Sequence, residues 1–194
     1  DLAVLTVGRI VDLYNHRHFL ATFKQNARQD GHGAAIHPVQ GDMATLPFAT
    51  GSFVLIWSEG AAYFLGFENA LRQWRDLLRP DGFLAVSHVA WLLDDQPSAL
   101  QTYWNEEFPD ISTDAVNQTA IVAAGYELID HFVLPPESWW RHYYSPMQQV
   151  LVTVRNQYAG NEEAEAIFEA FDREIDMHRR YSDYYGYIFY VMRR

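Results

Sequence analysis

The sequence contains no cysteine, which excludes disulfide bridges and thiolate metal sites. It has no apolar run near the roughly 20 residues that a bilayer-spanning helix requires. Its first residues, Asp1 to Gly8, lack the basic segment followed by an apolar one that marks a secretory leader. Positive charge is scarce. Only 14 Lys and Arg stand against 25 Asp and Glu, a net charge of −11. Binding to a phosphate backbone leans on clustered Lys and Arg, so the composition points away from nucleic acid and toward a small or cationic ligand. The expected setting is cytoplasmic. The expected partners are a small molecule and at most a second copy of the chain as a homodimer, with no nucleic acid and no membrane.

What is present is a globular balance, 49% apolar and 20% charged over 194 residues, enough to bury the core of one domain. The chain is organised around residues 53 to 89. Phe53-Val54-Leu55-Ile56-Trp57 carries no polar residue, the pattern of a strand buried on both faces of a parallel sheet. From Phe67 the period changes: Phe67, Ala70, Leu71, Trp74, Leu77 and Leu78 recur at helical spacing, with Glu68, Arg72, Arg75, Asp76 and Arg79 on the other face. Pro80-Asp81-Gly82 stops this helix, and Phe83 to Val89 is a second, mostly apolar strand. Strand, crossover helix and strand make a right-handed βαβ unit. Ser58-Glu59-Gly60-Ala61-Ala62-Tyr63 then lies at the carboxyl end of its first strand, the edge where open α/β sheets bind ligands.

Elsewhere the periodicity predicts a strand at Ile10 to Tyr14 and a short helix faced by Phe19, Leu20, Phe23 and Ala27. Gly31-His32-Gly33 closes that helix. It follows a helix and precedes a strand, the reverse of a dinucleotide fingerprint, which leaves a nicotinamide-dependent oxidoreductase without its motif. A strand at Ala34 to Val39 carries Pro38, as an edge allows. A short helix follows Pro97, and a further one runs from a Thr113 cap to Gly125. Tyr126 to Leu134 alternates as a strand up to Pro135-Pro136. A ring-rich loop at Trp139, Trp140, His142, Tyr143 and Tyr144 reads as a lid. Two helices come next, lined by Met147, Val150, Leu151, Val154 and Tyr158 and by Ile167, Phe168, Phe171, Ile175 and His178. A last strand spans Tyr187 to Met192. No repeat or linker interrupts the chain, so residues 1–194 are expected to form a single domain, with a lid and inserted helices at 134–181.

The segments Gly41-Asp42-Met43, Leu46-Pro47-Phe48, Phe53 to Trp57 and Leu77-Leu78-Arg79-Pro80-Asp81-Gly82 resemble the middle of a class I S-adenosylmethionine-dependent methyltransferase. The similarity is to the small-molecule branch related to ubiquinone and menaquinone biosynthesis. Within it, Trp57-Ser58-Glu59-Gly60-Ala61-Ala62-Tyr63 and Tyr184-Tyr185-Gly186-Tyr187 are similar to one subgroup. The resemblance implies a Rossmann-like α/β fold, mostly parallel with an antiparallel last strand, and S-adenosylmethionine as cofactor. It also implies a strand, a glycine loop and a helix ahead of Ile10. These need about 30 residues, so the sheet is expected to be incomplete at its amino end. Asp1 to Thr6 would be the tail of that helix, or Val4 to Gly8 a remnant of that strand.

By the same resemblance an acidic residue after the first visible strand binds the ribose. Asp12 and Tyr14 both answer to that position, two residues apart and so on one face. Asp42 is placed to accept the adenine amino group, since a carboxylate only accepts, with Met43 as a soft surface for the ring. Trp57 and Ser58 stand where cofactor and acceptor meet. Glu59 is the candidate base or acceptor-binding carboxylate, and His88 is a second candidate catalyst, able to titrate near neutrality. Tyr63, Trp91, His142, Tyr143, Tyr144 and Tyr185 are the candidate walls of an acceptor pocket, where rings attract cations. His16-Arg17-His18 lacks the companions of a metal site, and none is expected. Each of these residues also has an ordinary role open to it, in a turn, a cap or the core. The reading is methyl transfer to a small molecule; the alternative is a non-catalytic relative that keeps the fold for binding or oligomerisation.

Overall fold

Four strands of one sheet run parallel and the last runs against them. This sheet, in the order β3-β4-β7-β6, is built from β3 (Phe53–Ser58), β4 (Leu78–Trp91), β6 (Glu127–Val133) and β7 (Tyr185–Arg193), with the two-residue β5 (Ser112–Thr113) also paired to β4. The β3–β4 and β4–β5 pairings are parallel, whereas β7 is antiparallel to both β4 and β6. The computed structural model describes residues 9–15, 17–29, 31 and 33–194. The chain divides into two compact units, one ending at Ala49 and the other beginning at Thr50. The fold class is α/β and Rossmann-like with an antiparallel last strand.

In the first unit β1 (Ile10–Tyr14) pairs in parallel with β2 (Ile36–Gln40), joined through helix α1 (Arg17–Gln29). Pro38 is accommodated opposite Asp12, in a strand that pairs only with β1 among the described residues. Asp1 to Gly8, His16 and the side chains of Tyr14, Arg17, His18 and Phe19 lie outside the described residues, so the readings placed on them stand as sequence expectations.

In the second unit the expected helix is α2 (Phe67–Leu77), whose buried face is Phe67, Ala70, Leu71 and Trp74. The helix ends at Leu77, earlier than the expected stop, and Leu78 and Arg79 belong to β4; the chain still turns at Pro80-Asp81-Gly82, with Asp81 at φ 60. Gly82 is required there, because a Cβ would lie 2.9 Å from the Arg79 carbonyl oxygen. The turn does not end pairing, however. Phe53 pairs with Leu78 and Leu55 with Phe83, so the turn bulges out of a longer β4 than expected.

Two expectations fail here. β3 is not buried on both faces: Val54 is 61% exposed and Trp57 44%. The cause is strand order, since β3 ends the sheet and pairs only with β4 among the described residues. The ring-rich segment after Pro135 is helical, not a loop. It comprises α5 (Pro136–Trp139), a π-helical turn at Trp140–Tyr144, and α6 (Ser145–Gln157). A proline in the first turn favours helix entry, and Tyr144 is buried to 1% exposure. Further helices are α3 (Ser98–Glu107), α4 (Asp114–Ala123) and α7 (Glu162–Tyr181). Thr113 caps α4 as expected, its side chain accepting from the amide of Val116. On α6 and α7 the expected apolar faces hold in part: Leu151, Phe168, Ile175 and His178 are buried, but Val150 and Ile167 are exposed.

Helices cover both faces of the sheet. On β4 and β7, paired residues share a face. His88 therefore shares a face with Ile188 and Tyr190, and Val89 the opposite face with Tyr185 and Tyr187. Phe67 of α2 packs on the first face and Trp139 of α5 on the second.

Candidate functional site

The turn after β3 is fixed from below. Gly60 adopts φ 57, a left-handed conformation costly to a side-chain-bearing residue. Its amide donates a 2.9 Å hydrogen bond to Ser87 Oγ on the buried strand β4. A Cβ at Gly60 would stand 3.5 Å from the Tyr187 hydroxyl. The turn that carries Glu59 thus rests against the hydroxyl end of Tyr187. A short 3-10 helix, Ala62–Leu65, leads away from the turn and presents Tyr63, whose ring lies 4.1 Å from Phe64 and 6.0 Å from Phe108.

Tyr187 belongs to an aromatic layer on its face of the sheet. It stacks on Trp139 at 4.7 Å with the planes 13° apart. Tyr185 meets Trp104 edge-on at 4.9 Å, and Tyr144 and His178 lie 5.0 Å apart. Two hydroxyls on this side, those of Tyr144 and Tyr143, reach one carboxylate, Glu174 of α7. Tyr144 donates to Glu174 Oε1 at 3.2 Å, and Tyr143 also hydrogen-bonds to it. Burial, then the negative charge of Glu174, pushes the Tyr143 phenol up to about 12 and raises Tyr63 and Tyr144. Tyr187 is raised too, by burial first. Burial likewise raises the carboxyl of Glu174, against the hydrogen bonds from Tyr144 and Tyr143.

The expected acceptor residues sort cleanly. Tyr143 and Tyr144 hydrogen-bond to Glu174, and the phenols of Tyr63 and Tyr185 feel its charge. Trp91 sits farther along β4, edge-on to Trp104 at 6.3 Å, within an aromatic cluster with Leu100 and Tyr185. His142 is exposed. Two residues not foreseen as site residues, Tyr187 and Glu174, are central. The signal for Glu174 was there: it stands between Phe171 and His178 on the face of α7 that should be apolar, a place where a carboxylate needs partners.

His88 is 2% exposed and stacked on Phe67 at 4.2 Å, on the face opposite Tyr187. Burial lowers its pKa to about 4, so the imidazole is neutral at pH 7. His178, on the tyrosine face, is lowered to about 4 for the same reason, and its buried Nδ1 has no hydrogen-bond partner among the described residues.

In the first unit, Asp42 accepts a 2.9 Å hydrogen bond from the amide of Ala44 on Oδ1, capping the 3-10 turn Met43–Thr45 at the carboxyl end of β2. Asp12 is half-buried on β1. In the second unit, Trp57 packs 5.0 Å from Phe189, and Ser58 ends β3 opposite Val86. At this strand end the carboxylate of Asp42 only accepts hydrogen bonds, and Met43 beside it carries a soft apolar side chain. Among the described residues no three His, Asp or Glu side chains are grouped to hold a metal, and no helix is long and apolar enough to cross a membrane.

Residues 2–86 match the methyltransferase-domain family model. That match spans less than half of the chain. Solved structures agree with its fold. A methyltransferase from Geobacter sulfurreducens bound to S-adenosylhomocysteine is 14% identical, with 98% of this chain and 87% of that one covered at a TM-score of 0.76. YjhP from E. coli is 17% identical over 95% of this chain and 76% of its own, with a TM-score of 0.78. The [4+2]-cyclase SpnF is 18% identical over 100% of this chain and 68% of its own, with a TM-score of 0.73. No curated protein matches the sequence.

Proposed function

We propose that this protein transfers a methyl group to a small-molecule acceptor held on the tyrosine face beside the β3 turn. The observation that carries the reading is the pair of hydrogen bonds from Tyr143 and Tyr144 to Glu174, together with the contact between Tyr187 and the Gly60 turn. S-adenosylmethionine supplies a methyl group on a positively charged sulfur. The chain's own task is to hold a nucleophile in line with that carbon and keep water away, since near-attack geometry accounts for most of the barrier reduction in such a displacement. Glu59, exposed on the turn, is proposed to orient the acceptor or take its proton where it arrives protonated. On the first unit, Asp42 and Met43 are proposed to seat the adenine and Asp12 or Tyr14 the ribose; on the second, Trp57 and Ser58 are proposed to face the acceptor. His88, buried and stacked on Phe67, is proposed to act through packing rather than by touching the acceptor. Release of S-adenosylhomocysteine on incubation with amines, phenols, alcohols and carboxylates of small size tests the reading. Turnover of at least one class supports it and retires the non-catalytic alternative; turnover of none overturns it.

A further inference from the structure

Glu174 is a half-buried carboxylate without a positive partner. Among the described residues no Lys, Arg or His forms an ion pair with it. The neighbouring Arg173 is engaged elsewhere, paired to Glu106 at 2.6 Å and lying 5.2 Å over the ring of Tyr103. The groups that do reach Glu174 are phenols: Tyr144 at 3.2 Å and Tyr143. A phenol donates one hydrogen bond and neutralises nothing, so the negative charge remains. A buried charge is stabilised only when it is paired as well as hydrogen-bonded. The cluster is not sealed, because Tyr63 is 37% and Tyr143 44% exposed. A carboxylate bonded by phenols alone, one of them partly exposed, is the complement of an organic cation, which aromatic rings also attract.

We propose that this cluster is the acceptor-recognition site and that the acceptor carries an ammonium group, paired by Glu174 and flanked by the rings of Tyr63 and Tyr143. The inference rests on the methyltransferase reading above and names its substrate class. A neutral hydroxyl is the poorer occupant. Tyr143 and Tyr144 already supply hydroxyl donors to the carboxylate, so another adds little, whereas a cation supplies the charge that is missing. The net charge of −11 draws cations toward the same opening.

The test compares benzylamine with benzyl alcohol, which share a shape and differ in charge, by calorimetry or NMR titration of the full chain. The amine is expected to bind at least ten times more tightly. Glu174→Gln, which can still accept from Tyr144, is expected to remove that preference, and Tyr143→Phe, which keeps the ring, to retain most of it. Equal affinities, absence of amine binding, or an unchanged preference in Glu174→Gln would each overturn the proposal. The ratio in the parent chain decides the matter even if the variant does not fold. S-adenosylhomocysteine affinity and methyl transfer are read on the same samples. Turnover of neutral acceptors without amine preference sinks the ammonium assignment alone. Amine preference without cofactor binding or turnover sinks the methyltransferase reading alone.

Discussion

The amide of Gly60 and the hydroxyl oxygen of Ser87, 27 residues apart in the chain, are joined by a 2.9 Å hydrogen bond. It ties the turn that carries Glu59 to a strand that cannot shift, because Ser87 is 2% exposed at the middle of the sheet. Gly60→Ala would add left-handed strain of about 1 kcal/mol. Its methyl group would meet the Tyr187 hydroxyl only at ordinary van der Waals distance, 3.5 Å, so the strain is the backbone's. The variant is expected to melt a few degrees lower and to lose at least tenfold in methyl-transfer rate. Ser87→Ala, losing one hydrogen bond worth about 1 kcal/mol, should show a smaller loss of the same kind. Thermal unfolding and release of S-adenosylhomocysteine measure the two effects.

Asp42 has two possible duties that one substitution can separate. Asp42→Asn retains an oxygen to cap the Ala44 amide but presents an amide donor where adenine would need an acceptor. S-adenosylmethionine affinity is expected to fall roughly tenfold, by the usual worth of a hydrogen bond to a charged group, with the melting temperature unchanged. A cofactor affinity equal to that of the parent would show that Asp42 serves only its turn.

His88 should make folding sensitive to acid. Its folded pKa of about 4 lies below the ordinary 6.5. Between these values the unfolded chain takes up a proton that the folded chain refuses, so stability falls as pH drops from 6.5 to about 4 and levels off below. The ceiling is about 3 kcal/mol for such a shift. His88→Phe keeps a ring on Phe67 and removes the proton site. Its melting temperature should therefore decline less than the parent's over this range, with His178 supplying the remaining slope.

Glu174 should behave in the opposite sense. Burial raises its folded pKa above that of the unfolded chain, so ionising the group costs stability, and the cost disappears as pH falls through the raised value toward the ordinary one. Glu174→Gln is expected to be at least as stable as the parent at pH 7, with the advantage vanishing under acid. A large destabilisation at pH 7 would mean that the carboxylate holds the fold together rather than awaiting a ligand.

Much of this was legible in the sequence because it is written locally. Helix α2 follows from the spacing of Phe67, Ala70, Leu71 and Trp74, the start of α4 from Thr113, and β7 from its unbroken apolar run. The exposure of Val54 and Trp57 was not legible, since an apolar run is the same whether its strand lies inside a sheet or at its end. The helical form of residues 136–144 was hidden by the density of rings, which reads equally well as a lid. Glu174 gains its meaning from Tyr144, thirty residues away, and no periodicity within α7 reports that meeting.

The π-helical turn at Trp140–Tyr144, closed by the Ser145 amide on the Trp140 carbonyl, amounts to one residue more than an α-helix would need between Pro136 and Gln157. That surplus residue sets phase. An α-helix advances about 100° per residue, so excising one position from this turn would let the segment wind as a single regular helix and swing Trp139 by that angle relative to Tyr144. Trp139 would leave its stack on Tyr187 while Tyr144 kept its bond to Glu174. The irregularity is thus a spacer, allowing one continuous helical segment to address the floor of the site and its carboxylate at the same time.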